Sequence, residues 1–102
     1  MAKVYVEGFT QLAKDRNTYQ MSVPLDPPVF QDILDTTSGA DFTAALPDTV
    51  TMVRVHTDGI VSLKIGAGVT ATVNDGRMAA GQTEYRGIQA GAGHRVSAIT
   101  NT

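Results

Sequence analysis

The chain has 102 residues, with 8 Lys and Arg against 10 Asp and Glu, a formal net charge of −2. That length suits a single domain spanning residues 1–102, and the near-neutral balance argues against general nucleic-acid or anionic-membrane binding, which needs a basic excess. The lack of cysteine excludes disulfide staples, thiolate metal sites and a cysteine nucleophile.

Thr, Ala, Val and Gly dominate the composition, and alternation of apolar with polar residues is the main structural signal. Near the start, Val4 and Val6 alternate with Lys3, Tyr5 and Glu7, without the apolar core of a signal segment. Met21, Val23 and Leu25 form a second run, whose Pro24 points to an edge strand or a strand end. Residues 26–35 could be two helical turns opened by Asp26 and Pro27, or a strand with Val29, Gln31, Ile33 and Asp35 on one face. The following Thr36-Thr37-Ser38-Gly39 is poor helix material, which favours the strand. Phe42, Ala44 and Leu46 make a weaker alternating set.

The clearest run is residues 49–57, where Val53 and Val55 face one way while Met52, Arg54 and His56 face the other. Asp58-Gly59 follows, and then Val61, Leu63 and Ile65 alternate with Ser62 and Lys64. An Asp-Gly pair between two such runs predicts a β-hairpin over residues 50–64. Val69, Ala71 and Val73 predict a further strand, turned back by Asn74-Asp75-Gly76 into Arg77-Met78-Ala79. Residues 83–88 and 95–99 read as the last strands, joined by Ala90-Gly91-Ala92-Gly93, whose glycines suit a tight turn with positive φ. Seven to nine short strands with no long helix predict an all-β antiparallel sandwich, jelly-roll-like, or a small barrel.

Chemistry-bearing residues are sparse. His56 and Asp58 stand two apart and could pair on one strand face, with Ser62 across the turn, but no nucleophile elbow surrounds Ser62. His56 therefore reads as an exposed strand residue and Asp58 as a turn residue. His94 lies far from His56, and Asp32, Asp35 and Asp41 lack calcium-loop spacing, so no metal or other cofactor is expected. Tyr5, Tyr19 and Tyr85, with Phe9, could line a sugar-binding face or serve as core and interface residues. With only three lysines and few inward-facing charges, edge strands are expected to be covered by neighbouring subunits.

The runs Thr51-Met-Val-Arg-Val-His-Thr-Asp-Gly, Arg77-Met-Ala-Ala-Gly-Gln-Thr-Glu-Tyr-Arg-Gly-Ile and His94-Arg-Val-Ser-Ala-Ile, after the opening Met1-Ala-Lys-Val-Tyr-Val, carry a resemblance. The chain resembles the small structural proteins encoded among the virion genes of tailed bacteriophages, most strongly over residues 49–99. That resemblance implies a non-enzymatic decoration or cement protein on the capsid surface, made in the host cytoplasm. It would form a homo-oligomer, dimer or trimer, and bridge subunits of the major capsid protein, without direct nucleic-acid or membrane contact. A neck, tail or head-fibre component that adheres to host glycan is the alternative. The candidate contact residues are Tyr5, Phe9 and Leu12, Val29 and Phe30 within residues 26–34, and Tyr85 with Arg86.

Overall fold

The computed structural model describes residues 3–14, 16–17, 20–24 and 27–101; for Ala13 and residues 20–23 it describes the backbone alone. Tyr19, Leu25 and Asp26, and the side chains of Met21 and Val23, lie outside the described residues. Ten strands are present among the described residues: β1 (Lys3–Phe9), β2 (Leu12–Lys14), β3 (Gln20–Pro24), β4 (Phe30–Asp35), β5 (Asp41–Phe42), β6 (Met52–Thr57), β7 (Val61–Ala67), β8 (Gly76–Met78), β9 (Thr83–Gly87) and β10 (His94–Thr100). They form two four-stranded antiparallel sheets, ordered β4-β1-β6-β9 and β5-β10-β7-β8, and a two-stranded ribbon, β2-β3. The count exceeds the expected seven to nine; the three-residue β2 has no alternating run of its own in the sequence.

The core lies between the two sheets. From the first sheet come Val4, Val6, Leu34, Val53 and Val55; from the second come Val61, Leu63, Met78, Val96 and Ala98, all buried. Each set sits at alternate strand positions, so the period-2 pattern places it on one face. Gly8 has a packing reason: a Cβ there would meet Phe30 Cβ at 3.1 Å and Val50 Cγ1 at 3.2 Å. Residues 30–35 are the strand expected, with Gln31, Ile33 and Asp35 outward and Leu34 inward. Pro24 ends β3, as proline requires. Gly91 and Gly93 both adopt positive φ, 77° and 68°, in the loop before β10.

The expected hairpin over residues 50–64 does not form. β6 pairs with β1 and β9, whereas β7 pairs with β10 and β8 in the other sheet. Residues 58–60 are a crossover between the sheets. Thr57 Oγ1 donates to the Gly59 carbonyl at 2.6 Å, Asp58 Oδ1 accepts the Lys3 N–H at 2.7 Å, and the Ile60 carbonyl accepts the Asn101 N–H at 2.9 Å. These bonds hold the turn against β1 and the end of β10. Apolar alternation is blind to the difference, because Val53 and Val61 are buried whether their strands lie side by side or face to face.

Residues 69–73 are not a strand either. The loop of residues 68–75 lies across the outer face of the second sheet and roofs its centre, leaving Phe42 exposed beside it. Ala71 N–H donates to Ser97 Oγ at 2.8 Å, Arg95 Nε donates to the Val69 carbonyl at 2.8 Å, and Asn101 Nδ2 donates to the Val73 carbonyl at 3.2 Å. The roof leaves Ser62 and Ser97 fully buried. Asp75 folds the loop's end by accepting the Thr72 N–H at 2.7 Å, so β8 returns to pair with β7 rather than with residues 69–73.

Both flanks of the sandwich are closed by side chains. Beside β4 and β5, Asp41 Oδ2 accepts the Asp35 N–H at 3.1 Å and Asp41 Oδ1 the Phe42 N–H at 2.8 Å, while Asp32 Oδ1 takes the Ile33 N–H at 2.8 Å. On the other flank β9 is an edge strand whose Arg86 Nε and Nη2 donate to Glu84 Oε1 at 2.9 and 2.6 Å, with Gln82 Nε2 on Glu84 Oε2 at 2.7 Å. Arg86 is paired with core-facing Val53, so this charge points inward, a device that blunts an edge against strand addition. The β4, β5 and β9 edges therefore carry some protection within the chain itself.

Two exposed carboxylates link the turns to pH. Hydrogen bonds from the Thr37 hydroxyl and N–H hold Asp35 below the usual carboxylate pKa, and the Thr72 N–H does the same for Asp75. A depressed folded pKa means stability that is present above the unfolded value and is lost as pH falls through the folded one. Asp35→Asn and Asp75→Asn should therefore flatten the loss of thermal stability below about pH 4, read from melting temperatures between pH 2 and pH 6. An unchanged acid limb in both variants would contradict this assignment.

Candidate functional site

The outer faces of the two sheets differ. On the second, residues 68–75 roof Ser62 and Ser97, while Phe42 beside Ser97 stays 45% exposed under the Arg95 guanidinium; the first carries two open rows of side chains. Register sets its rows. Ile33, Tyr5, His56 and Thr83 lie side by side across all four strands, and the next row is Gln31, Glu7, Arg54 and Tyr85. Both rows project outward because the intervening Val4, Val6, Val53 and Val55 occupy the inner face.

The rows are cross-linked by polar contacts. Arg54 Nη1 donates to Glu7 Oε1 at 2.8 Å, and Gln31 Nε2 reaches Glu7 Oε2 at 3.4 Å. Glu7, by hydrogen bonding, with the Tyr85 hydroxyl adding to it, holds the Arg54 guanidinium more firmly protonated than usual against the opposing effect of burial. His56 Nδ1 and Thr83 Oγ1 share a hydrogen bond of 2.7 Å, and the Tyr5 and His56 rings lie 6.3 Å apart. Around this network Ile33 and Tyr85 are each 57% exposed and Tyr5 39%. A shallow, open depression of about 490 Å³ lies at the β4 side, lined by Tyr5, Gln31, Asp32 and Ile33.

Of the residues named from sequence, Tyr5 and Tyr85 fall on this one face, in adjacent rows and two strands apart. Val29 is exposed just before β4, its N–H donating to the Gly8 carbonyl at 2.9 Å. Leu12 lies half-buried on the ribbon. Three others serve elsewhere. Phe9 is buried on the outward side of β1 beside Met52, Phe30 packs half-buried against the core from an inward position, and Arg86 closes the β9 flank. Glu7 and Arg54 were not among the expected contact residues, whereas Ile33 lies within the expected segment 26–34. The outward alternation of Met52, Arg54 and His56 was the available signal, but only the pairing with β1 puts Arg54 beside Glu7.

His56, Asp58 and Ser62 are not brought together. His56 is on the open face, Asp58 holds Lys3 in the crossover, and Ser62 is buried under the roof, its hydroxyl accepting from Asn101 Nδ2 at 2.8 Å. Among the described residues no group of three His, Asp or Glu side chains is placed to hold a metal ion. No helix of the described residues is long and apolar enough to cross a membrane. Compared with known protein families, with curated proteins and with solved structures, the chain matches none of them.

Proposed function

We propose that this chain is a non-enzymatic structural protein of a tailed-phage virion, which decorates the capsid and stabilises it by bridging subunits of the shell. The observation that carries the reading is the asymmetry of the sandwich. One outer face is partly roofed by residues 68–75, which leave Phe42 exposed, the β4, β5 and β9 edges are blunted, and the other face presents Tyr5, Ile33 and Tyr85 around a paired Glu7 and Arg54. Aromatic rings with one Arg among apolar side chains are the composition of protein contact surfaces. The β2-β3 ribbon, which joins neither sheet, supplies a second surface, and bridging requires two.

The jelly-roll character belongs to this proposal. It is supported by the way β4 to β7 alternate between sheets, with β1 lying between β4 and β6 where the last strand of a jelly roll would lie. Repetition over a shell would turn many small contacts into high avidity.

The test is a comparison of particles made with and without the protein. Particles lacking it are expected to release DNA at lower temperature, with hundreds of copies per particle on intact ones. Equal thermal release would overturn the bridging role. Six or twelve copies would instead favour a neck or tail component, for which the depression beside Tyr5 is the supporting feature, an aromatic ring next to the amide of Gln31 and the carboxylate of Asp32 that suits a sugar.

A further inference from the structure

The open face is complementary to itself. Along β1 and β6 each row pairs opposite or matching characters: Glu7 with Arg54, Tyr5 with His56, and Lys3 beside Asp58 at the end. We propose that this face docks against the same face of a second copy of the chain, about a twofold axis running roughly parallel to the strands between β1 and β6. Such an axis lays each β1 over the β6 of the other copy and keeps every row in place. Glu7 then meets the other copy's Arg54, and Tyr5 meets its His56, each contact made twice as an isologous interface requires.

The charges close into a ring of four with alternating sign. Glu7 uses one oxygen for Arg54 of its own chain, and Arg54 commits only Nη1 to it, so guanidinium donors remain for the second carboxylate. No like charges are opposed. A twofold axis across the strands, between the two rows, would instead stack Arg54 on His56 and leave Glu7 over Tyr5. Aligned face-to-face packing of two twisted sheets is a common arrangement, with side chains filling a layer about 10 Å thick. Here Tyr5, Ile33 and Tyr85 supply that layer, and Ile33 would come to rest over Thr83 of the other copy.

Size fixes the strength. Four strands of five to seven residues give a face of at most about 19 by 23 Å. That is roughly half of the ~800 Å² per partner found in standard interfaces, which puts the dimer in the weak, concentration-dependent class. The inference rests on the reading of this face as a protein contact, though not on the virion role, and it leaves the β2-β3 ribbon for the shell.

The chain has no cysteine, so engineered thiols report the geometry directly. Ile33→Cys and Thr83→Cys chains, mixed at high micromolar concentration with a short bis-maleimide, are expected to cross-link as the mixed pair several-fold more than either chain with itself, since each position overlies the other while like positions lie about three strand spacings apart. Sedimentation of the unmodified protein should show a monomer–dimer equilibrium, with the dissociation constant raised at least tenfold by Arg54→Glu or by Glu7→Arg. Mixing these two variants should restore the dimer, since each then meets its complement. Circular dichroism confirms that each chain used is folded. A monomer at every concentration would overturn the proposal, as would self-cross-linking that equals the mixed product. If the monomer nevertheless protects Tyr5 and Tyr85 on assembled capsids, the self-docking is wrong while the structural role stands. Loss of both results removes both readings.

Discussion

Leu34→Ala is expected to lower the free energy of unfolding by about 2–5 kcal/mol, whereas Ile33→Ala, one residue away, should change it by only about 0.5 kcal/mol. Leu34 is 1% exposed and belongs to the central cluster, so truncation removes apolar contacts and leaves a cavity between the sheets. Ile33 is 57% exposed on the opposite face of the same strand. Denaturant titration separates the two, and equal losses would mean that β4 is not oriented as described. The pair also divides stability from contact. Ile33→Ala should weaken association through the open face in a chain that remains folded, while Leu34→Ala should act through folding.

Ser97→Ala should cost about 1–3 kcal/mol, more than a hydroxyl-to-hydrogen change at the surface would suggest. Ser97 is fully buried, accepts the Ala71 N–H at 2.8 Å and donates to the Asp41 carbonyl at 2.9 Å. Without the hydroxyl, Ala71 keeps a buried N–H with nothing to bond and the roof loses its central pin. Asp41 also caps the β4 and β5 edges, so the change reaches both sheets. Hydrogen exchange at the Ala71 amide should accelerate along with the loss of stability. A loss below about 1 kcal/mol with Ala71 still protected would show that another group or a water takes over the bond.

The sequence was most informative where burial alone decides the pattern. Val4 and Val6, Val53 and Val55, and Val61 and Leu63 alternate because one side of each strand faces the core, and that can be read without knowing the neighbour. Pairing could not be read in the same way. Asp58-Gly59 has hairpin chemistry, but here it bonds to Lys3 and to Thr57, partners that a local window does not weigh. Val69, Ala71 and Val73 alternate like a strand, yet only Ala71 is buried while Val73 is 54% exposed, because the segment lies across a sheet rather than in one. The candidate face was half legible. Tyr5 and Tyr85 were evident as aromatics, but the face they share with Arg54 and Glu7 depends on β1 pairing with β6, about fifty residues away along the chain.

The central place of β1 in the first sheet bears on the order in which the chain can fold. Its neighbours are β4 and β6, so in a nascent chain one edge of the first strand can pair once Asp35 is made while the other stays open until Thr57, and β10 closes the second sheet last of all. At about 5–20 residues per second, the roughly fifty residues between β1 and β6 take about 3–10 s to synthesise. Contacts of such long separation also slow refolding of the complete chain, towards the millisecond-to-second range of β-sandwiches. During that interval Val4 and Val6 are the residues most in need of shielding by the ribosome or a chaperone.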